Sequence, residues 1–405
     1  MKFDMVFEGG GAKGMVFVGA MQEFEERGHT HDRLLGTSAG AITAALLAAG
    51  YSSEEMLEAL AEKKDGNSVF SDFMGEPGSF SDSHLVQDGA LARLLTNIDI
   101  PLLPDALEKR LDKAIVNWVA SNPRASHLFS FVELGGWYSA DNFLKWISQK
   151  MDSGEFNGKP RNFSKMTLKQ FYNATEKDLS LVASDTTAET MLVLNHRTAP
   201  KLPVVWAVRM SMSIPLLWQE VVWKKEWGKY RGKKMEKHTI VDGGLLSNFP
   251  IELFISSLKT VTNVMGDKTS ENVLGMLIDE TLPVPGAQSI KGDADNGKFD
   301  ISKLATVQRL NHLINTVTGA RDKSVIEAFE DYVARMPAKG YGTTEFDMTD
   351  ERRNTLVEAG KKAMQNYFNY EQPAAAMAYS FAVVAEPTHR VTASADRLAE
   401  KMILR

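Results

Sequence analysis

The sequence predicts an α/β fold built on a mostly parallel sheet, from three observations. Its first 64 residues alternate short apolar runs with helical patterns, glycine turns fall where those runs end, and strand-like runs return from residue 179 onward. Phe3–Phe7 reads as a buried strand, followed by a glycine turn and a helix with Phe17, Ala20, Met21 and Phe24 on one face and Gly28 as its stop. Leu34-Leu35 is a second short strand, and a small-residue helix follows Ser38 as far as Gly50. "SSEE" at Ser52–Glu55 has capping-box spacing for the next helix. Residues 56–134 read as a helical insertion or lid. Its clearest helix follows Pro104, with Leu107, Leu111, Ile115 and Trp118 on one face. Further strands are expected at 179–184, 191–194, 239–244 and 273–278. A Pro/Gly/Asp linker after Pro283 leads into a C-terminal helical region, so the chain divides into 1–282 and 283–405.

Composition narrows the function classes. The chain has 405 residues, 43% of them hydrophobic, enough for a sizeable core. A net charge of −6 argues against a nucleic-acid polymer as partner. With no cysteine, disulfides and thiolate metal sites are excluded, and no His/Asp cluster has ligand spacing, so no metal or other cofactor is implied. The N-terminus lacks the apolar region of a signal peptide, and the longest apolar stretches fall short of the roughly 20 residues a membrane helix needs. A cytoplasmic chain with peripheral membrane contact is expected, and secretion without a cleavable signal stays open.

"GGGAKG", Gly9–Gly14, matches the dinucleotide fingerprint, but the acidic residue that fold wants after its second strand is missing: Asp32 precedes Leu34-Leu35. A Walker loop is excluded because Met15 and Val16 follow Gly14. What such a turn offers is backbone N–H groups at a helix start, where negative charge is favoured. Gly10 and Gly11 allow close approach, as a hole for an oxyanion requires. Lys13 adds a nearby cation or is a solvated first-turn lysine. Gly36-Thr37-Ser38-Ala39-Gly40 has the spacing of a nucleophile elbow. A serine needs a base. His312 and His389 lie in the C-terminal helical part and read better as solvated or capping residues. Asp242, at the end of an apolar pair and before Gly243 and Gly244, is the stronger candidate, with an ordinary Asp-Gly turn as its alternative.

"EGGGAKG", "GTSAG" and "VDGG", in this order, resemble the three signature blocks of the patatin-like phospholipases. Weaker likeness continues through 135–147, 178–186 and 209–221. The resemblance implies a patatin-like three-layer sandwich and a lipid acyl hydrolase of phospholipase A or lysophospholipase type. It implies a Ser–Asp dyad with Ser38 as nucleophile and Asp242 as base, and an oxyanion hole from the backbone around Gly10, Gly11 and Ala12. An acyltransferase using the same dyad, and a non-catalytic scaffold on this fold, are the alternatives. The unassigned 283–405 leaves room for a protein or nucleotide activator.

Trp206, Trp218, Trp223 and Trp227 fall within 22 residues, and Lys224–His238 carries seven Lys/Arg against two Glu. Tryptophan beside lysine is how a peripheral protein holds an anionic surface. The expected membrane contacts are Trp218, Trp223, Lys224, Lys225, Trp227, Lys229, Arg231, Lys233 and Lys234, with a solvated hairpin as the alternative. Ala374–Ala385 reads as a buried helix or a second interfacial one.

Overall fold

The structure is a computed structural model, and it describes residues 1–77, 122–270, 272–287, 325–379 and 389–403. The expected helix after Pro104 and His312 lie outside the described residues, as does the second half of Ala374–Ala385.

The chain opens with β1 (Lys2–Phe7), α1 (Val16–Glu26), β2 (Thr30–Thr37), α2 (Ala39–Ala48) and α3 (Ser53–Ala61), the strand–helix alternation its apolar periodicity predicts. Ser52 and Glu55 form the expected capping box. The middle of the chain supplies α4 (Pro123–Glu133), β3 (Gly136–Tyr138), α5 (Asp141–Asp152), α6 (Leu168–Thr175), β4 (Asp178–Asp185), β5 (Thr190–Leu194) and α7 (Val204–Ser211). Then come β6 (Leu216–Trp218), β7 (Val221–Val222), β8 (Thr239–Asp242), α8 (Glu252–Ile255), α9 (Lys259–Met265), β9 (Asn272–Pro283), β10 (Val333–Lys339), α10 (Asp350–Tyr379) and α11 (His389–Ile403).

Among the described residues the central sheet has eight strands, in the order β7-β8-β4-β2-β1-β9-β10, with β5 also paired to β4. Five of them, β4, β2, β1, β9 and β10, run parallel. Side chains alternate across the sheet, so Phe3, Met5 and Phe7 of β1 enter one core and Val6 enters the other. The first core lies under α1, α2, α5, α7 and α10; the second lies under α8, α9 and α11. The fold is a three-layer sandwich, with helices covering both faces as a parallel sheet requires.

Residues beyond Pro283 enter this architecture directly. The region expected to be helical supplies β10, which extends the sheet beside β9; its Pro337 is tolerated because the strand is an edge. Helix α10 crosses α1 at close range: a Cβ on Gly19 would lie 1.7 Å from the Val357 carbonyl oxygen, and one on Gly360 2.0 Å from that of Val16. Only glycine fits either side of that crossing.

β2 is added on one side of β1 and β9 on the other. The winding therefore reverses at β1, and the crevice beyond its carboxyl end is where open α/β sheets bind ligands.

Candidate active site

Ser38 stands between β2 and α2 at φ 54 and ψ −120, a backbone conformation L-residues rarely adopt and which costs about 1–3 kcal/mol. The turn closes so tightly that a Cβ on Gly36 would lie 2.2 Å from the Gly40 carbonyl oxygen, and one on Gly40 2.2 Å from that of Phe7. The Ser38 N–H donates to Ser211 Oγ (3.1 Å), and Ser211 in turn donates to the Val182 carbonyl.

The register of β4 brings Asp242 to this serine. Leu181 and Val182 pair with Gly36 and Thr37 of β2 on one edge and with Leu194 and Val193 of β5 on the other. Ala183–Asp185 remain paired with β5, so β8, which opposes the same three residues, occupies the β2 edge. β2 and β8 thus meet head to head along β4. Their last residues, Thr37 and Asp242, face the successive positions Val182 and Ala183.

Asp242 is buried, and its N–H donates to the Ser213 carbonyl (2.9 Å). Its Oδ1 accepts from the Gly244 N–H (2.7 Å), while Oδ2 is buried with no hydrogen-bond partner among the described residues. Burial raises its pKa to about 7, against the opposing pull of the Ser38 hydroxyl and the Gly244 N–H. The Ser38 hydroxyl favours the charged carboxylate, although Oδ2 makes no hydrogen bond among the described residues. No histidine lines the pocket beside Ser38 or bonds to either residue among those described.

The glycine turn needs one correction. Ala12 was expected among the oxyanion donors, but its N–H donates to the Thr343 carbonyl (2.9 Å), supplied by the loop between β10 and α10. The N–H groups of Gly10 and Gly11 reach no protein acceptor among the described residues. Gly11 has φ +56, and a Cβ there would meet the Thr343 oxygen at 2.1 Å. Lys13 is neither solvated nor exposed: it is buried and ion-paired with Glu280 at the end of β9. Gly14 lets α2 approach, since a Cβ on it would lie 2.5 Å from Ala39 Cβ.

Sequence reasoning missed the residues that lock these turns together. Asn248 donates from Nδ2 to Glu8 Oε1 (3.1 Å) and to the Gly9 carbonyl (2.9 Å), and its own carbonyl accepts from the Gly9 N–H (3.3 Å). Glu8 Oε2 accepts from the Ile278 N–H (2.6 Å), tying the clamp to β9. Gly9 is squeezed within it: a Cβ there would lie 2.2 Å from Asn248 Oδ1 and 2.9 Å from Ser38 Cβ. Buried Arg209 bonds Ser213 and donates to the Gln219 carbonyl (2.7 Å), which fixes the segment carrying Asp242's acceptor. The only advance signal was proximity to the signature blocks.

From Ser38 an apolar pocket runs between the helices of the first layer. Ile42 and Leu46 of α2, Met56 of α3, and Phe73 and Trp146 line it, along about 12 Å of helix at 1.5 Å per residue. Trp218 forms another wall, its indole N–H donating to the Phe73 carbonyl (3.0 Å). It was expected at a membrane and lies in the interior instead.

A family model described as patatin-like phospholipase matches residues 5–255, more than half of the chain. The chain belongs to the patatin-like phospholipase family. This patatin-like chain is 28% identical over 369 residues to the uncharacterized protein YqhO of Bacillus subtilis strain 168, a match covering 89% of this chain and 96% of that one. It is 23% identical over 121 residues to a probable lipid hydrolase, 463L, of invertebrate iridescent virus 6, covering 30% of this chain and 36% of that one. Among solved structures it is similar to VipD from Legionella pneumophila, with TM-score 0.44 and 17% identity over 91% of this chain and 67% of that one.

The basic segment of this patatin-like chain divides by side-chain type. Trp223 and Trp227 are buried, with Trp223 donating to the Gly228 carbonyl (3.1 Å) and Trp227 packed against Trp206. They are core residues and not membrane anchors, because the two indoles pack on each other and Trp227 packs on Trp206 of α7. Lys224, Lys225, Lys229, Lys233 and Lys234 remain exposed. Lys224 lies over the Trp206 and Trp227 rings at 4.9 and 5.4 Å. Arg231 is exposed too, but donates to the Ile403 carbonyl (3.1 Å) and so ties the hairpin to α11.

Proposed function

We propose that this chain is a serine acyl hydrolase acting on carboxylic esters of phospholipids. One observation carries the reading: a strained serine lining an apolar pocket lies near a buried carboxylate whose second oxygen has no hydrogen-bond partner among the described residues. In the proposed reaction Asp242 takes the Ser38 hydroxyl proton as the oxygen attacks the ester carbonyl. A carboxylate with a pKa near 7 is a better base than an ordinary one. The tetrahedral oxyanion is received by the Gly10 and Gly11 N–H groups. Asp242 returns the proton to the departing alkoxide, leaving an acyl-Ser38 ester with its chain in the apolar pocket. A water, deprotonated by Asp242, attacks that ester; Asp242 returns the proton to the departing Ser38 oxygen, and the fatty acid is released.

The hairpin before β8 folds back along β5: the Arg231 N–H donates to the Thr198 carbonyl (2.8 Å), and the Tyr230 hydroxyl accepts from the Val193 N–H (3.0 Å). Its exposed lysines favour an anionic bilayer at about 1 kcal/mol each near the surface. Among the described residues no helix is long and apolar enough to cross a membrane.

The test is turnover of a phospholipid and a soluble ester across pH. Ser38-dependent release of fatty acid, with kcat/KM rising as pH passes through about 7, is the expected result. Turnover that survives Ser38→Ala would overturn the reading.

A further inference from the structure

The pocket has a wall from far outside the family match. Phe346 lies in the loop between β10 and α10, buried, with its ring centroid 5.5 Å from that of Trp218 in an edge contact, and it lines the pocket that begins at Ser38. The loop is anchored on both sides of it. Thr343 is bonded to Ala12 of the glycine turn, and Arg352 pairs with Glu345 through Nε (2.6 Å) and Nη2 (3.1 Å) while its guanidinium covers the Tyr341 ring at 4.0 Å. The phenyl ring is therefore held over the pocket by contacts to the catalytic turn on one side and to the start of α10 on the other.

The free space left in the pocket is about 70 Å³. A cavity that takes a single benzene ring measures about 150 Å³. Past its first carbons, an acyl chain has to displace a wall. Ile42, Leu46 and Met56 are fixed on packed helices, whereas Phe346 is on a loop. Close-packed interiors resist such displacement, so the ring that the anchored loop holds over the pocket limits how far a chain extends.

We propose that Phe346 is a specificity-determining residue that limits the length of acyl chain the site accepts, an inference that rests on the acyl-hydrolase reading above. The C-terminal segment then selects substrate for a reaction performed by the family core.

The experiment measures kcat/KM for p-nitrophenyl acetate, butanoate, octanoate and dodecanoate with wild type, Phe346→Ala and Phe346→Trp, each checked for an unchanged melting profile. Phe346→Ala is expected to raise the dodecanoate-to-butanoate ratio about tenfold or more, as hydrophobic-pocket discrimination allows, and Phe346→Trp to lower it. Equal loss on all four esters, or an unchanged ratio in both variants, overturns the proposal. Calorimetric binding of dodecanoate to Ser38→Ala, with and without Phe346→Ala, gives a readout independent of turnover. Tighter binding in the double variant supports the proposal even where hydrolysis fails and the activity reading falls, and equal binding overturns it.

Discussion

Asp4 and Asp242 are both buried on strands of the central sheet, and they are held in different ways. Asp4, on β1, accepts from Arg33 Nε (2.9 Å), from its Nη2 (2.5 Å) and from its backbone N–H (3.2 Å). Burial still raises its pKa, but a cation stands against that effect. Asp242, on β8, has no cation beside it among the described residues: the Ser38 hydroxyl and the Gly244 N–H oppose its burial, and its pKa rises to about 7. The difference separates a carboxylate paired with a cation from one that is not. Asp4 has its lone pairs occupied by Arg33, while Asp242 Oδ2 has no hydrogen-bond partner among the described residues.

The comparison breaks first on activity. Ser38→Ala and Asp242→Asn are each expected to lower kcat by about 10⁴-fold or more in a folded protein, and His389→Ala to leave it nearly unchanged. Ester turnover alongside circular dichroism checks this. Loss of activity in His389→Ala equal to that in Ser38→Ala, without unfolding, would sink the two-residue mechanism.

Stability should move in opposite directions at the two aspartates. Arg33→Ala leaves the Asp4 carboxylate buried without its partner and is expected to cost about 3–5 kcal/mol. Asp242 has a folded pKa above its unfolded value, so its contribution to stability is complete below about pH 4 and is lost as pH rises through about 7. Asp242→Asn should therefore match wild type in acid and exceed it by a few kcal/mol above neutral pH. Denaturant melts at two pH values test both; equal stability of Asp242→Asn and wild type at high pH would contradict the assignment.

A smaller effect sharpens the role of the clamp around Gly9. Asn248→Ala is expected to lower kcat about 10²-fold with little change in KM, because it loosens the turn that carries Gly9 and leaves the pocket intact. A rise in KM alone would place Asn248 in binding instead.

The smallest effect on chemistry belongs to the hairpin. Replacing Lys224, Lys225, Lys229, Lys233 and Lys234 with glutamine should weaken binding to anionic vesicles by several kcal/mol, at about 1 kcal/mol each. Wild-type binding should fall steeply with salt, and turnover of a soluble ester should not change. Sedimentation with vesicles at two salt concentrations measures this, and equal binding by both proteins would remove the hairpin from membrane contact.

Residue by residue, the readable part of the site was the part whose signal is local. Gly36, Ser38 and Gly40 announce a turn that only small residues allow, and the same holds for Gly9–Gly14 and for Asp242 before its two glycines. The first strands and helices were legible from apolar periodicity, and Ser52–Glu55 from its cap. β10 was not, because "VARMPAK" carries a proline and no clean alternation, and an edge strand needs neither.

Asn248, Thr343 and Phe346 had no local signature, since their importance lies in partners up to hundreds of residues away. The tryptophans were misread for the same reason: an indole beside lysines looks identical in sequence whether it faces lipid or its own hairpin. By itself the sequence determined the class of fold and pointed to a candidate nucleophile and its candidate base, because strained turns and buried strands impose requirements on a few consecutive residues. Only the tertiary structure decided that Ala12's N–H is already used, that Asp242's burial is uncompensated by any cation among the described residues, and that a C-terminal phenyl ring walls the pocket. Those facts depend on desolvation and on pairing across the sheet, which are sums over the whole packed molecule.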